Sequence, residues 1–163
     1  MTLFGKKLSE YLRFQWWILA LLVVVGLARL ALSLGGAPKD TAKWLSVTAV
    51  MVLGLLYYSV RVHTSGFGGA RHLLGLLLIQ QIVAQAVIIL GIAIAVTTGQ
   101  DNIFSIPEYR PPMGGVEGRT WNHALGHLVI GVFVLSLVGW LVGSGILALT
   151  RKATAGARGG TPA

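Results

Sequence analysis

The sequence predicts an all-α membrane protein: an antiparallel bundle of four transmembrane helices preceded by a short N-terminal interfacial helix. Hydrophobic residues make up 55% of the chain and charged residues only 11%, whereas soluble domains carry roughly 25% charged residues. Four apolar runs have about the length needed to cross a ~30 Å hydrocarbon core. Two short turns and one longer loop join these runs, as in up-and-down bundles.

The N-terminal segment and the first span are predicted from the order of charged, aromatic and apolar residues. Leu3 to Phe14 places apolar side chains on one helical face, which is typical of a helix at the headgroup level. Trp16 and Trp17 then mark the membrane interface. A cleaved signal peptide is the alternative, but the apolar run exceeds the usual 7–15 residues and contains Arg29.

A turn with glycine and proline follows the first span, and a short basic turn with three glycines follows the second. A loop rich in proline and glycine precedes the fourth span. The spans are predicted at about residues 16–34, 44–60, 73–96 and 123–150. Together they place residues 1–152 in a single membrane domain. Residues 153–163 are small and polar, which predicts a flexible C-terminal tail.

The distribution of Lys and Arg predicts the orientation in the membrane. One side would hold eight basic residues: Lys6, Lys7, Arg13, Arg61, Arg71, Arg151, Lys152 and Arg158. The other side would hold five: Arg29, Lys39, Lys43, Arg110 and Arg119. Because cytoplasmic loops are enriched in Lys and Arg, we expect a bacterial inner (plasma) membrane protein with both termini cytoplasmic. The basic net charge of +8 is attributed to these loops, and no nucleic-acid partner is expected.

His123 and His127 are the candidate cofactor-binding residues. Their i, i+4 spacing places both imidazoles on one helical face. The intervening Ala-Leu-Gly lacks the glutamate of a metalloprotease motif, and no metal site is predicted. A haem between helices needs imidazoles from different helices, while His63 and His72 fall at the opposite membrane boundary. Hydrogen bonding within the protein, without a cofactor, is therefore favoured, and haem binding is the alternative.

A glycine-rich stretch before the third span is the candidate anion site. Backbone N–H groups ahead of a helix N-terminus bind anions, and a basic side chain strengthens the attraction. The residues predicted to contact a phosphate or lipid headgroup are Gly68, Gly69, Arg71 and His72. A tight basic turn without a ligand is the alternative, since the spacing matches no nucleotide-binding motif.

Two sets of residues are predicted to pack helices together. Gln81 and Gln85 share one face of the third span, where buried amides form interhelical hydrogen bonds. Ser136, Gly139 and Gly143 form a ladder of small residues on the fourth span, which lets another helix approach closely. The ladder fits packing inside the bundle, a homo-oligomer or a contact with another subunit.

These features favour a non-enzymatic role. No Asp, Glu or Lys lies near the centre of any predicted span, which disfavours a proton-coupled transporter. The chain contains no cysteine, so disulfides, thiolate metal sites and cysteine nucleophiles are excluded. We expect an accessory or scaffold subunit that packs in the bilayer against other membrane proteins. A redox subunit using His123 or His127, and a small transporter or channel subunit, are the alternatives.

Overall fold

The computed structural model describes residues 1–38, 41, 44–106 and 119–159, with side chains to residue 156. Helices α1, α2 and α3 comprise Leu8–Leu34, Val47–Thr64 and Ala70–Thr98. Helix α4 consists of three consecutive segments: α-helical Trp121–Gly126, π-helical His127–Val134 and α-helical Leu135–Gly159. In the described part of the chain, these four helices are long and apolar enough to cross a membrane. The predicted class of helical, multi-pass membrane protein is thereby confirmed.

The N-terminal interfacial helix is replaced by a β-hairpin. Strand β1, Thr2–Leu3, pairs antiparallel with β2, Lys6–Lys7. Phe4 and Gly5 between them both have positive φ, as a tight two-residue hairpin turn requires. Helix α1 begins at Leu8, where the Glu10 carboxylate accepts the Lys7 N–H at 2.7 Å. The expected lead-in helix was therefore wrong, because residues from Leu8 onward belong to the spanning helix itself.

The chain beyond residue 152 also differs from its prediction. Helix α4 continues to Gly159, so residues 153–159 are helical rather than a flexible tail. The alanines of this segment favour a helix, and the Thr154 hydroxyl donates to the Thr150 carbonyl at 3.1 Å. Residues 160–163 of the predicted tail lie outside the described residues.

Helix α3 is the central element of the bundle. It contacts α1, α2 and both long segments of α4. Half of its spanning window is buried, compared with 22% for α1, 33% for α2 and 17% for α4. Its inward residues include Leu73, Leu76 and Ile92, all fully buried in the hydrophobic core. The other helices therefore expose most of their apolar surface, as expected for residues that contact lipid.

The start of the α3–α4 loop folds back into one end of the bundle. The Asn102 side chain donates to the Gly91 carbonyl at 2.7 Å, and the Ile103 N–H donates to the Ser33 hydroxyl at 2.8 Å. Gly91 precedes the end of α3 by about two turns, so the loop descends roughly 10 Å along the helix. Asn102 and Ser105 are consequently buried although they lie in a loop.

Arg29 lies beneath this folded-back segment. Its guanidinium carbon lies 5.9 Å from the centre of the Phe104 ring, and the residue is 9% exposed. The Phe104 ring therefore covers the Arg29 side chain. The loop itself is tied by Arg119, whose Nε lies 3.3 Å from the Asp101 carboxylate.

Gly143 marks the closest approach of α4 to α2 and α3. A Cβ at this position would lie 2.7 Å from Ser59 Oγ and 3.0 Å from Leu73 Cδ2. Gly145, two residues further on, is exposed, and a Cβ added there would meet only open space. The two glycines thus differ in packing while sharing the same helix.

We predict that Gly143→Leu destabilises the folded protein by about 1–3 kcal/mol, because the added side chain overpacks the helix contact. Gly145→Leu is the matched control and should change stability little. Reversible unfolding in detergent measures both variants. Equal stability of the two variants would contradict the close contact at Gly143.

Candidate functional site

A chain of polar side chains connects α3 to α4 within the membrane-spanning part of the bundle. His127 Nδ1 lies 2.8 Å from Gln85 Oε1, and Gln85 Nε2 donates to Gln81 Oε1 at 3.4 Å. Gln81 and Gln85 are 7% and 2% exposed. Because an amide oxygen only accepts hydrogen bonds, this contact places the His127 proton on Nδ1. We refer to these three residues as the Gln81–Gln85–His127 chain.

His123 lies one turn before His127 on α4. Thr120 caps the start of the helix by accepting the His123 N–H at 3.1 Å. The two imidazole rings are tilted against each other with centroids 4.9 Å apart. The two imidazoles therefore lie side by side, and His127 is hydrogen-bonded to Gln85 of α3.

The other two histidines of the protein, His63 and His72, lie beside the α2–α3 loop, apart from His123 and His127. His63 Nε2 lies 3.1 Å from Thr154 Oγ1, where α2 ends. His72 Nδ1 accepts the Gly69 N–H at 3.2 Å and so caps α3. Among the described residues, no three His, Cys, Asp or Glu side chains are grouped as metal ligands. What the structure shows at His127 is a hydrogen bond between α3 and α4, with His123 beside it.

The predicted headgroup site lies in the α2–α3 loop, and two of its backbone donors are already used. The Gly68 N–H donates to the Val62 carbonyl at 2.9 Å, and the Gly69 N–H donates to His72. A side chain at Gly68 would overlap the His72 ring, so this glycine makes room for the cap. Arg71 is exposed beside the loop. A headgroup at this place would therefore meet the Arg71 side chain rather than a cradle formed by the Gly68 and Gly69 amides.

The small-residue ladder of α4 faces the inside of the bundle. Ser136 is 2% exposed and donates its hydroxyl to the Val132 carbonyl. A Cβ at Gly139 would lie 3.7 Å from Leu77 of α3, and Gly143 lies against α2 and α3 as described above. Ser136 and Gly143 are therefore buried in the bundle, and a side chain at Gly139 would contact α3.

Two glutamines of α3 each face a glycine on a neighbouring helix. A Cβ at Gly131, in the π-helical segment of α4, would lie 2.7 Å from Gln85 Oε1. A Cβ at Gly54, on α2, would overlap Gln80 Oε1. Gln80 Nε2 donates to the Met51 carbonyl at 3.0 Å. The glycines thus provide the space that two long amide side chains need between closely packed helices.

A groove of about 640 Å³ lies where α3 meets the π-helical segment of α4. Its lining residues are apolar apart from Gln85. The flanking residues Ile82, Leu90, Leu128 and Phe133 are each about half exposed. The groove therefore forms a concave apolar surface on the outside of the bundle, next to the polar chain.

Three buried polar residues, Gln15, Tyr58 and Gln80, lie outside the patterns that predicted a site. Each is at most 1% exposed. For Gln15 the sequence itself indicates burial, because this residue falls between Tyr11 and Ile18 on one helical face. Gln80 is adjacent to Gln81 but points toward α2 instead of α4, which only the packing of the helices determines.

We predict a measurable coupling between Gln85 and His127. In a double-mutant cycle with Gln85→Leu and His127→Phe, the coupling should be about 0.6–1.7 kcal/mol, the range for hydrogen bonds inside membranes. The matched control is the half-exposed His63–Thr154 pair, where water competes and the coupling should be smaller. Additive effects at Gln85 and His127 would contradict the hydrogen bond.

Comparison with known proteins identifies no relative. The chain matches no protein-family model, no curated protein and no solved structure. The function must therefore be inferred from the geometry of the chain itself.

Proposed function

We propose that this protein is a non-enzymatic accessory subunit of the membrane, which packs against a helix of another membrane protein. The observation that carries this proposal is the apolar groove between α3 and α4. A side chain projecting from a partner helix fits such a groove, because helices pack by inserting ridges into grooves. In lipid there is no hydrophobic driving force between helices, so complementary packing of their surfaces determines whether they associate.

The lining of the groove suits close approach by a helix. Ala86 and Ala93 are small residues of α3 on its wall, and Ala86 is exposed. Small residues at helix interfaces allow backbones to approach each other. On the α4 side, the half-exposed Leu128 and Phe133 line the groove. The groove thus has small residues on its α3 side and larger apolar residues on its α4 side, and a side chain of a partner helix could insert between them.

The other sequence features are engaged inside the bundle, which also supports an accessory role. The ladder residue Gly143 packs against α2 and α3, and His127 is bonded to Gln85. Neither feature therefore supplies the surface for a partner, and the groove is the better place for it. A haem- or cofactor-binding role at His123 and His127 is the alternative proposal.

We further propose an antiparallel bundle in a bacterial inner membrane with both termini cytoplasmic. The excess of basic residues on that side supports the orientation. Contacts along the helices support the antiparallel order: Ile18 of α1 lies at Gly54 of α2, while Val47, at the start of α2, lies beside Gly26, further along α1. The hairpin and the α2–α3 loop meet where Lys6 lies 4.8 Å from the Phe67 ring centre.

We predict that Ala86→Phe, which fills the groove, weakens association with the partner. Overpacking of a contact costs about 1–3 kcal/mol, so the association constant should fall by about 5- to 150-fold and less protein should be found in the complex at equal expression. The measurement is the size of the complex extracted from native membranes in mild detergent. Ala20→Phe is the matched control, because Ala20 is an exposed alanine of α1 outside the groove.

Complexes of equal size in wild type and Ala86→Phe would contradict the groove as the interface. A wild-type protein that runs without any partner would contradict the accessory role itself. A Soret band that disappears in His127→Gln would instead establish the cofactor-binding alternative.

A further inference from the structure

Three fully buried side chains from three helices present polar atoms that have no hydrogen-bond partner in the described part of the chain. They are Gln15 of α1, Tyr58 of α2 and Gln80 of α3, with exposures of 0%, 0% and 1%. Neither amide atom of Gln15, nor the Tyr58 hydroxyl, nor Gln80 Oε1 has a hydrogen-bond partner among the described residues.

The contacts place these side chains in two adjacent layers of the bundle. A Cβ at Gly54 would touch both Gln80 and Ile18, at 3.1 Å from Ile18 Cγ2, so these residues share one layer. Gln15 lies about one turn before Ile18 on the buried face of α1, and Tyr58 lies one turn after Gly54 on α2.

Aromatic contacts confirm that these two turns adjoin. The Phe14 ring centroid lies 6.4 Å from that of Tyr58 and 6.2 Å from that of Tyr57. Gln15 and Tyr58 therefore occupy the layer next to Gln80. The three polar side chains therefore lie in adjacent layers of the interior between α1, α2 and α3, away from the Gln81–Gln85–His127 chain.

Leaving these atoms without hydrogen bonds would be costly. A buried amide or hydroxyl without a partner loses its hydrogen bonds to water without replacement, and lipid offers no substitute. Gln80 is held toward this place because its Nε2 donates to the Met51 carbonyl, which leaves Oε1 free to accept. A ligand that both donates and accepts hydrogen bonds is needed here.

We propose that Gln15, Tyr58 and Gln80 form a buried water-binding site that joins α1, α2 and α3. The Gln15 amide group offers N–H donors, the two amide oxygens accept, and the Tyr58 hydroxyl does both. Water matches this mixture, whereas a cation would bind the oxygens and leave the Gln15 N–H groups unsatisfied. Buried waters typically make about three such hydrogen bonds to protein groups. The site is independent of the groove and of the proposed partner.

Radiolytic hydroxyl labelling of the full-length protein in detergent tests the site, because water bound beside a buried tyrosine generates hydroxyl radicals in place. Wild-type Tyr58 should be labelled despite its complete burial. In Gln15→Leu the bound water loses its main partner, and labelling of Tyr58 should fall several-fold. Gln81→Leu is the matched control, since it removes a glutamine from the other face of α3, and should leave Tyr58 labelling unchanged.

If Tyr58 is not labelled in the wild-type protein, that result alone overturns the proposal. Labelling that persists in Gln15→Leu would overturn it as well, because radicals would then reach Tyr58 from elsewhere. Equal losses in Gln15→Leu and Gln81→Leu would show a general change of packing and would also contradict the site.

Discussion

The lack of water in the hydrocarbon core is the constraint on which the rest of this structure depends. Inside the spans, polar groups must find partners in the protein or in water bound within it, because lipid supplies none. The hydroxyls of Ser59 and Ser136 donate to carbonyls of their own helices. The longer amides of Gln80 and Gln85 reach across to neighbouring helices. Helix α3, which carries these amides, is accordingly the most buried of the four helices.

The need to accommodate these amides explains where the glycines lie. Gly54 on α2 faces Gln80, and Gly131 on α4 faces Gln85. Each glutamine side chain therefore occupies the space that a side chain at the glycine would fill. The π-helical segment contains Gly131 and places it beside Gln85. On the outside of the same junction, the apolar groove adjoins Gln85. The Gln81–Gln85–His127 chain and the groove proposed to bind a partner thus lie at the same contact between α3 and α4.

Long apolar runs predicted the four helices well, because length and hydropathy alone determine which segments fit a bilayer. The N-terminal hairpin was missed because its turn at Phe4 and Gly5 interrupts a pattern that otherwise reads as a helix. The spacing of His123 and His127 predicted their shared face, but the partner of His127 depends on how α3 is rotated. The same rotation decides that Gln80 faces α2 while Gln81 and Gln85 face α4, which no periodicity within one helix reveals.

The four-span bundle is tested most directly by measuring which side of the membrane a single introduced cysteine faces in intact cells. The chain has no native cysteine that would interfere. Thr2, Gln100 and Ala155 are exposed positions before α1, between α3 and α4, and near the end of α4. A membrane-impermeant maleimide should label Gln100→Cys from outside. Thr2→Cys and Ala155→Cys should react only after permeabilisation. Labelling of Gln100→Cys and Ala155→Cys from the same side would contradict the account, because α4 would then not cross the membrane.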